Sequence, residues 1–201
     1  MGGGVVESIF TYSLKKIIKA SFKDKDTDSQ IVLVKEAISG CKEAFTTLID
    51  MNKEYLYKTA FLYMKNEEEA LEVYQETVYK AYINLNKLKK PEFFKTWLTR
   101  ILINNANDRL KAKDRYSSVE GIEENVIDEN YEKVSLEEKI DLYNALDSLS
   151  SHYKTAIILK YFQDLSLKDI ALAMECPENT VKSYLYRAKA QLLTKLEGRE
   201  S

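Results

Sequence analysis

Asn179, Thr180, Lys182, Ser183, Tyr184, Tyr186, Arg187 and Lys189 crowd into one short stretch of this chain. Their groups are of the kind that reads a nucleic-acid duplex. A guanidinium such as that of Arg187 can hold guanine bidentately, while the ammonium groups of Lys182 and Lys189 suit phosphate oxygens. A second polar set recurs at every fourth position, Arg100, Asn104 and Asp108, with Asn107, Lys111 and Arg115 around it. Amide and guanidinium groups mixed in this way can bond base edges while the cations hold the backbone. Phe93, just upstream, offers a ring on which an unpaired base could stack. A third set, Glu72, Gln75 and Glu76, presents carboxylates and an amide to a basic or polar partner surface. All three sets are equipped to make contacts and none to make or break bonds.

Catalytic chemistry is poorly provided for elsewhere in the chain. His152 is the single histidine, and Cys41 and Cys176 lie far apart without CxxC spacing, so a zinc site made of Cys and His alone would be short of ligands. The two cysteines read as ordinary reduced thiols rather than as a regulatory disulfide. No phosphate loop, metal-ligand cluster or activated nucleophile is visible, which weighs against an enzyme acting on nucleotides and implies no metal or cofactor.

The charge balance, 30 Lys and Arg against 32 Asp and Glu for a net −2, argues by itself against a general nucleic-acid binder. The distribution of those charges points the other way. Residues 87–115 are predominantly basic, residues 116–141 predominantly acidic, and a second basic segment lies near the C-terminus. A length of 201 residues suits one large domain or two small ones, and a hydrophobic fraction of 45% is enough for a buried core. With 6 Gly and 2 Pro, the composition favours helices over a turn-rich β fold. No apolar run approaches the roughly 18 residues needed to cross a bilayer, so no stable membrane insertion is expected. Met1–Ser8 lacks the basic end and apolar core of a secretory signal, which predicts a cytoplasmic protein.

The elements that must position these sets follow from periodicity. Residues 1–27 read as an extension, a tail being favoured over a membrane-surface helix despite the helical spacing of Val6, Ile9, Phe10, Leu14, Ile17 and Ile18. Ile31, Val34 and Ile38 mark a helix stopping near Gly40; Phe45, Leu48, Ile49, Leu56 and Ala60 mark a second, ending near Lys65. Asn66 suits an N-cap, with Glu67, Glu68 and Glu69 in a first turn where the helix dipole favours acids. The inner face of that third helix reads as Ala70, Tyr74, Thr77, Val78, Ala81 and Leu85. Pro91 suits the first turn of a fourth, with Phe94, Trp97, Leu98, Ile101 and Asn105 on one side. The polar set from Arg100 to Arg115 is then expected opposite Trp97, Ile101 and Asn105, with Trp97 in the core and Phe93 freer to stack.

Residues 114–134 lose periodicity and gain acids, which reads as a linker. Helical signals return as serine caps: Ser135 with Glu138, Ser150 or Ser151, and Ser166 with Asp169. Ser166–Met174 is a short capped helix, Glu175, Cys176 and Pro177 break it, and Thr180–Ala188 opens another. Ile170, Ala171 and Met174 can pack on Val181, Leu185 and Ala188, with the small Ala171 allowing a close crossing. This is a helix-turn-helix pattern, whose second helix enters the DNA major groove and carries the Asn179–Lys189 set.

Leu149 to Ile157, Lys160-Tyr161, Leu165-Ser166 to Ile170-Ala171, Thr180-Val181-Lys182-Ser183 and Arg187-Ala188 together resemble the fourth conserved region of RNA polymerase sigma factors, in the extracytoplasmic-function subfamily. The resemblance implies that this helix recognises the −35 promoter element. Glu175 departs from the pattern, standing where the family usually has Gly; in a left-handed conformation it would cost up to about 1 kcal/mol. Phe93 to Ile101, continuing through Asn104 to Asp108, resembles the second conserved region, which melts and reads the −10 element. Arg100, Asn104 and Asp108 match its Arg, Asn and Asp. Glu69 to Val78 is similar to the helix that binds the polymerase clamp; Ala70, Gln75 and Glu76 fit, whereas Leu71 replaces a usual acid and Val78 a usual aromatic.

The resemblance implies an all-α chain of two small helical domains, a bundle and a helix-turn-helix domain, joined by a flexible acidic linker. The expected divisions are 1–27 for the extension, 28–113 for the region 2-like domain, 114–135 for the linker and 136–201 for the region 4-like domain. It implies a sigma factor without enzymatic activity, whose partners are core RNA polymerase (clamp and flap regions) and promoter DNA. An anti-sigma factor is a further partner that the resemblance raises and no residue identifies. Two competitors remain. A stand-alone helix-turn-helix regulator of the LuxR type would bind duplex without polymerase and leave the Phe94–Lys113 pattern unexplained. A protein-interaction module would use its first domain on another protein alone.

Overall fold

The computed structural model describes residues 27–116 and 144–197. All regular structure among the described residues is helical, and it falls in two compact units. The extension, the Ser135–Glu138 cap and most of the acidic stretch lie outside the described residues.

In the first unit, α1 (Thr27–Ile38) ends where the sequence supplies a glycine. Gly40 has φ 101°, and the N–H groups of Gly40 and Cys41 return to the Ala37 and Glu36 carbonyls at 3.0 and 3.1 Å. This is the left-handed helix stop for which glycine is cheapest. α2 (Lys42–Met64) stops at Lys65, also left-handed at φ 55°. α3 (Glu67–Asn84) begins on Asn66, whose side chain accepts the Glu69 N–H at 2.9 Å. Its buried face is Ala70, Val73, Thr77 and Ala81, with Tyr74 and Val78 at the margin. Two 3₁₀ turns, Leu85–Lys87 and Pro91–Phe93, lead into α4 (Phe94–Tyr116). Pro91 thus starts a separate turn before the fourth helix rather than the helix itself. α2 packs on α1, α3 and α4, and α3 packs on α4. Leu48, Leu56, Leu98 and Leu102 are fully enclosed there, each worth about 1.5–3 kcal/mol relative to exposure.

Polar cross-links fix the angle between these helices. The Tyr55 hydroxyl meets Thr99 Oγ1 at 2.5 Å. Lys80 Nζ donates to Asn105 Oδ1 at 2.7 Å, Asn105 Nδ2 to Thr77 Oγ1 at 3.1 Å, and Thr77 to the Val73 carbonyl at 2.7 Å. Asn105 is buried, and this chain supplies the partners its amide needs.

In the second unit a short helical turn over 144–147 precedes α5 (Ser151–Ile157), which continues as a π-helical turn over Ile158–Phe162. Lys154, almost enclosed, is paired with Asp147 at 2.9 Å. α6 (Leu167–Met174) is capped by Ser166, whose hydroxyl accepts the Asp169 N–H at 3.1 Å and donates to the Asp169 carboxylate at 2.6 Å. After α6, Glu175 turns left-handed at φ 53°, while Cys176 N–H returns to the Ala171 carbonyl at 3.0 Å. The conformation that would favour glycine is therefore present and occupied by glutamate. α7 (Glu178–Glu197) follows and packs on α5. Val181, Leu185, Ala188 and Leu192, spaced to share one side of the helix, are buried.

Candidate nucleic-acid interfaces

A groove of about 460 Å³ opens between the end of α3 and α4, lined by Lys80, Asn84, Lys87, Trp97, Arg100, Ile101, Asn104, Asn105 and Asp108. Its volume lies within the roughly 300–1,000 Å³ of sites that take small ligands. Three cations and one carboxylate leave it electropositive; three amides supply donors and acceptors; Trp97 and Ile101 form an apolar wall. Such a site can hold a flat heterocycle against an indole while bonding its edge and neighbouring phosphates.

Arg100, Asn104 and Asp108 converge here as their spacing requires. The expectation that Trp97 and Ile101 lie opposite them is wrong. Around a helix turning 100° per residue, Trp97 shares the direction of Asn104 and Asp108, and the core side belongs instead to Leu98, Leu102 and Ala106. Trp97 is half-buried at the edge of the core and reaches both environments, its ring 6.0 Å from that of Phe94. Lys111 is exposed on the same side further along α4, Asn107 is half-buried outside the groove, and Arg115 belongs to the helix's last turn. Phe93 does not line the groove; it sits in the preceding 3₁₀ turn with Lys90 Nζ 5.7 Å from its ring centre. Sequence reasoning missed Lys80, Asn84 and Lys87. Lys80 and Asn84 continue the row of Glu76 at i+4 steps, but nothing local shows that the row turns toward α4.

The Glu72, Gln75 and Glu76 set lies exposed on α3. Glu72 is paired with Arg109, Glu76 with Lys80 at 3.2 Å, and neighbouring Glu69 with Lys113 at 3.1 Å. Along the same helix Leu71, Tyr79, Tyr82 and Ile83 are exposed large apolar side chains. Carboxylates thus flank uncovered apolar groups on the exposed side of α3.

On α7 the expected reading face divides in two. Asn179, Lys182, Ser183, Tyr186 and Arg187 are exposed, Tyr186 to 77%, and Thr180 is half-exposed. Tyr184 and Lys189 lie at the flanks and contact the same unit: Tyr184 stacks on His152 at 5.5 Å, and Lys189 Nζ lies 5.4 Å over the Tyr161 ring. Arg187 is exposed near Tyr153, whose hydroxyl raises the pKa of the guanidinium. Helix α5 and the turn that continues it thus contact two of the α7 side chains that could meet DNA, Tyr184 and Lys189.

No helix among the described residues is long and apolar enough to cross a membrane. Family comparison finds Sigma-70 region 2 over residues 48–116 and Sigma-70, region 4 over residues 139–192. The RNA polymerase sigma factor SigV of Bacillus subtilis is 36% identical over 152 residues, 73% of this chain and 87% of that protein. The ECF RNA polymerase sigma factor SigW of the same organism is 30% identical over 177 residues, 81% and 94% of the two chains. Among solved structures, CnrH in complex with the cytosolic domain of CnrY matches with a TM-score of 0.66 at 22% identity, covering 86% of this chain and 99% of that one, a likeness of fold. The groove, the acidic face of α3 and the helix-turn-helix accordingly belong to a member of the sigma-70 family, in its extracytoplasmic-function group: a non-enzymatic sigma factor that binds RNA polymerase and directs promoter recognition and initiation.

Proposed function

We propose that the α3–α4 groove captures a base of the melted −10 element while the exposed face of α7 docks on the −35 duplex. The carrying observation is the convergence of Arg100, Asn104 and Asp108 with Trp97, Lys80 and Lys87 in one electropositive groove. A duplex base cannot enter such a recess without leaving its stack, so binding there favours the melted state. The exposed α3 surface around Glu72, Gln75 and Glu76 docks on the polymerase clamp, and the second domain on the flap region. An anti-sigma factor would act by covering the α3 surface. The functional division is that of residues 28–113 and 136–201 across an acidic linker of 114–135, and the site of action is the cytoplasm. Two modest DNA contacts on one tether reinforce each other through effective concentration.

Arg100→Ala combined with Asn104→Ala tests the reading. Attachment to core polymerase should persist while permanganate-reactive thymines of the open complex disappear. Undiminished melting removes this groove from promoter opening, and loss of helicity in the variant would assign the two residues to bracing the fold.

A further inference from the structure

Lys80 occupies a position between the two functions assigned to this domain. Its Nζ lies 3.2 Å from the Glu76 carboxylate on the docking face of α3 and donates to Asn105 Oδ1 at 2.7 Å in the wall of the groove. The side chain is 42% exposed and Glu76 50%, so both are open to exchange of partners. Asn105 is fixed from behind by Thr77, which keeps the groove end of the contact in place. The carboxylate end has no comparable restraint, being an i,i+4 neighbour on the surface of one helix.

We propose that Lys80 couples polymerase docking to single-strand capture: a cation of the polymerase takes over Glu76, and the unneutralised Lys80 ammonium then serves the groove as a phosphate ligand. In the free chain Glu76 cancels much of that charge. In the docked chain it does not, so the groove gains about one effective phosphate contact when polymerase is bound. The coupling is reciprocal, since a strand that engages Lys80 frees Glu76 for the polymerase. The device disfavours strand binding by the unattached factor. It rests on the assignment of the groove to melted DNA and of Glu76 to docking.

Glu76→Gln imitates the docked state without polymerase, because the amide keeps the shape and loses the charge. The probe is a fluorescent single-stranded DNA 12-mer of mixed sequence, titrated by anisotropy with the full-length free chain across salt concentrations. Glu76→Gln should raise affinity and steepen the salt dependence by about 0.7 in log K against log salt, the increment of one single-strand phosphate contact. In a Lys80→Gln background, which keeps a hydrogen-bond donor toward Asn105, the same change should have no effect. A Glu76→Gln gain that persists with Lys80→Gln marks simple repulsion of DNA by Glu76 and overturns the coupling. If adding Lys80→Gln to the Glu76→Gln chain leaves strand binding unchanged while adding Arg100→Ala weakens it, the groove assignment stands and the role of Lys80 falls. If neither weakens it, the groove assignment itself is lost. Thermal melts of each variant separate these outcomes from misfolding.

Discussion

The Tyr55 hydroxyl and Thr99 Oγ1 meet at 2.5 Å in the buried seam between α2 and α4. Thr99 donates its own hydrogen to the Lys95 carbonyl at 2.7 Å, so Tyr55 is the donor of the pair. Thr99→Val keeps the shape and deprives a buried hydroxyl of this acceptor, which should cost about 1–3 kcal/mol. Tyr55→Phe removes the donor and leaves Thr99 bonded to Lys95, so its cost should be smaller, about 0.5–1.5 kcal/mol. Urea unfolding of the two variants checks the order; a costlier Tyr55→Phe would reverse the assigned direction of the bond.

The same tyrosine predicts an alkaline limit. Burial raises its pKa far above the ordinary value of 10, an effect the Thr99 contact only partly opposes. The folded state therefore holds a proton that the unfolded chain releases above pH ~10. Stability from this group should be complete below pH ~10 and decline as the pH rises beyond it. Tyr55→Phe should flatten that decline in melts followed by circular dichroism.

Glu72 and Arg109 form an exposed pair, about half-accessible on each side. Such pairs contribute about 0–1 kcal/mol, so Glu72→Ala should barely move the melting temperature. Its effect should fall on docking, with a several-fold loss of affinity for core polymerase in a direct binding titration. Unchanged affinity would place the contact elsewhere on α3, with Leu71, Tyr79 and Ile83 next to be tested.

Glu175 follows α6 in a left-handed conformation, and its N–H and that of Cys176 close the helix end. Glycine adopts this conformation without the Cβ penalty but also gains freedom in the unfolded chain. Glu175→Gly should therefore stabilise the chain by up to about 1 kcal/mol against urea. A destabilised variant would show that the Glu175 side chain contributes more than its backbone costs.

Much of this architecture is legible in the sequence because it rests on local rules. Asn66 caps α3 through its own side chain, Gly40 stops α1, and Ser166 starts α6, each a relationship among neighbours in sequence. The helical spacing of Val181, Leu185 and Ala188 likewise decides which side of α7 is buried. Trp97 misleads because its type assigns a large apolar residue to the core, while its angular position puts it beside Asn104. Lys80 is illegible for another reason. Its partner Asn105 lies on another helix, across the α3–α4 packing, and no periodicity reports how those two helices meet.

Exposure along α7 sets the expected division of labour on that helix. Arg187 is exposed on α7, with Tyr153 of α5 nearby. Lys182 sits on the exposed side of the same helix, away from Val181 and Leu185. A bidentate guanine contact carries about 1–3 kcal/mol of discrimination, so Arg187→Ala should relax preference at one position of the −35 element. Lys182→Ala should instead lower binding to every sequence and flatten the salt dependence by about one unit. Holoenzyme binding to a panel of −35 variants, repeated across salt concentrations, measures both. Should Arg187→Ala lower affinity uniformly, Arg187 is a backbone clamp. Base reading would then fall to Asn179, Ser183 and Tyr186, the remaining exposed groups of the α7 face, and Tyr186→Ala would become the substitution that relaxes preference.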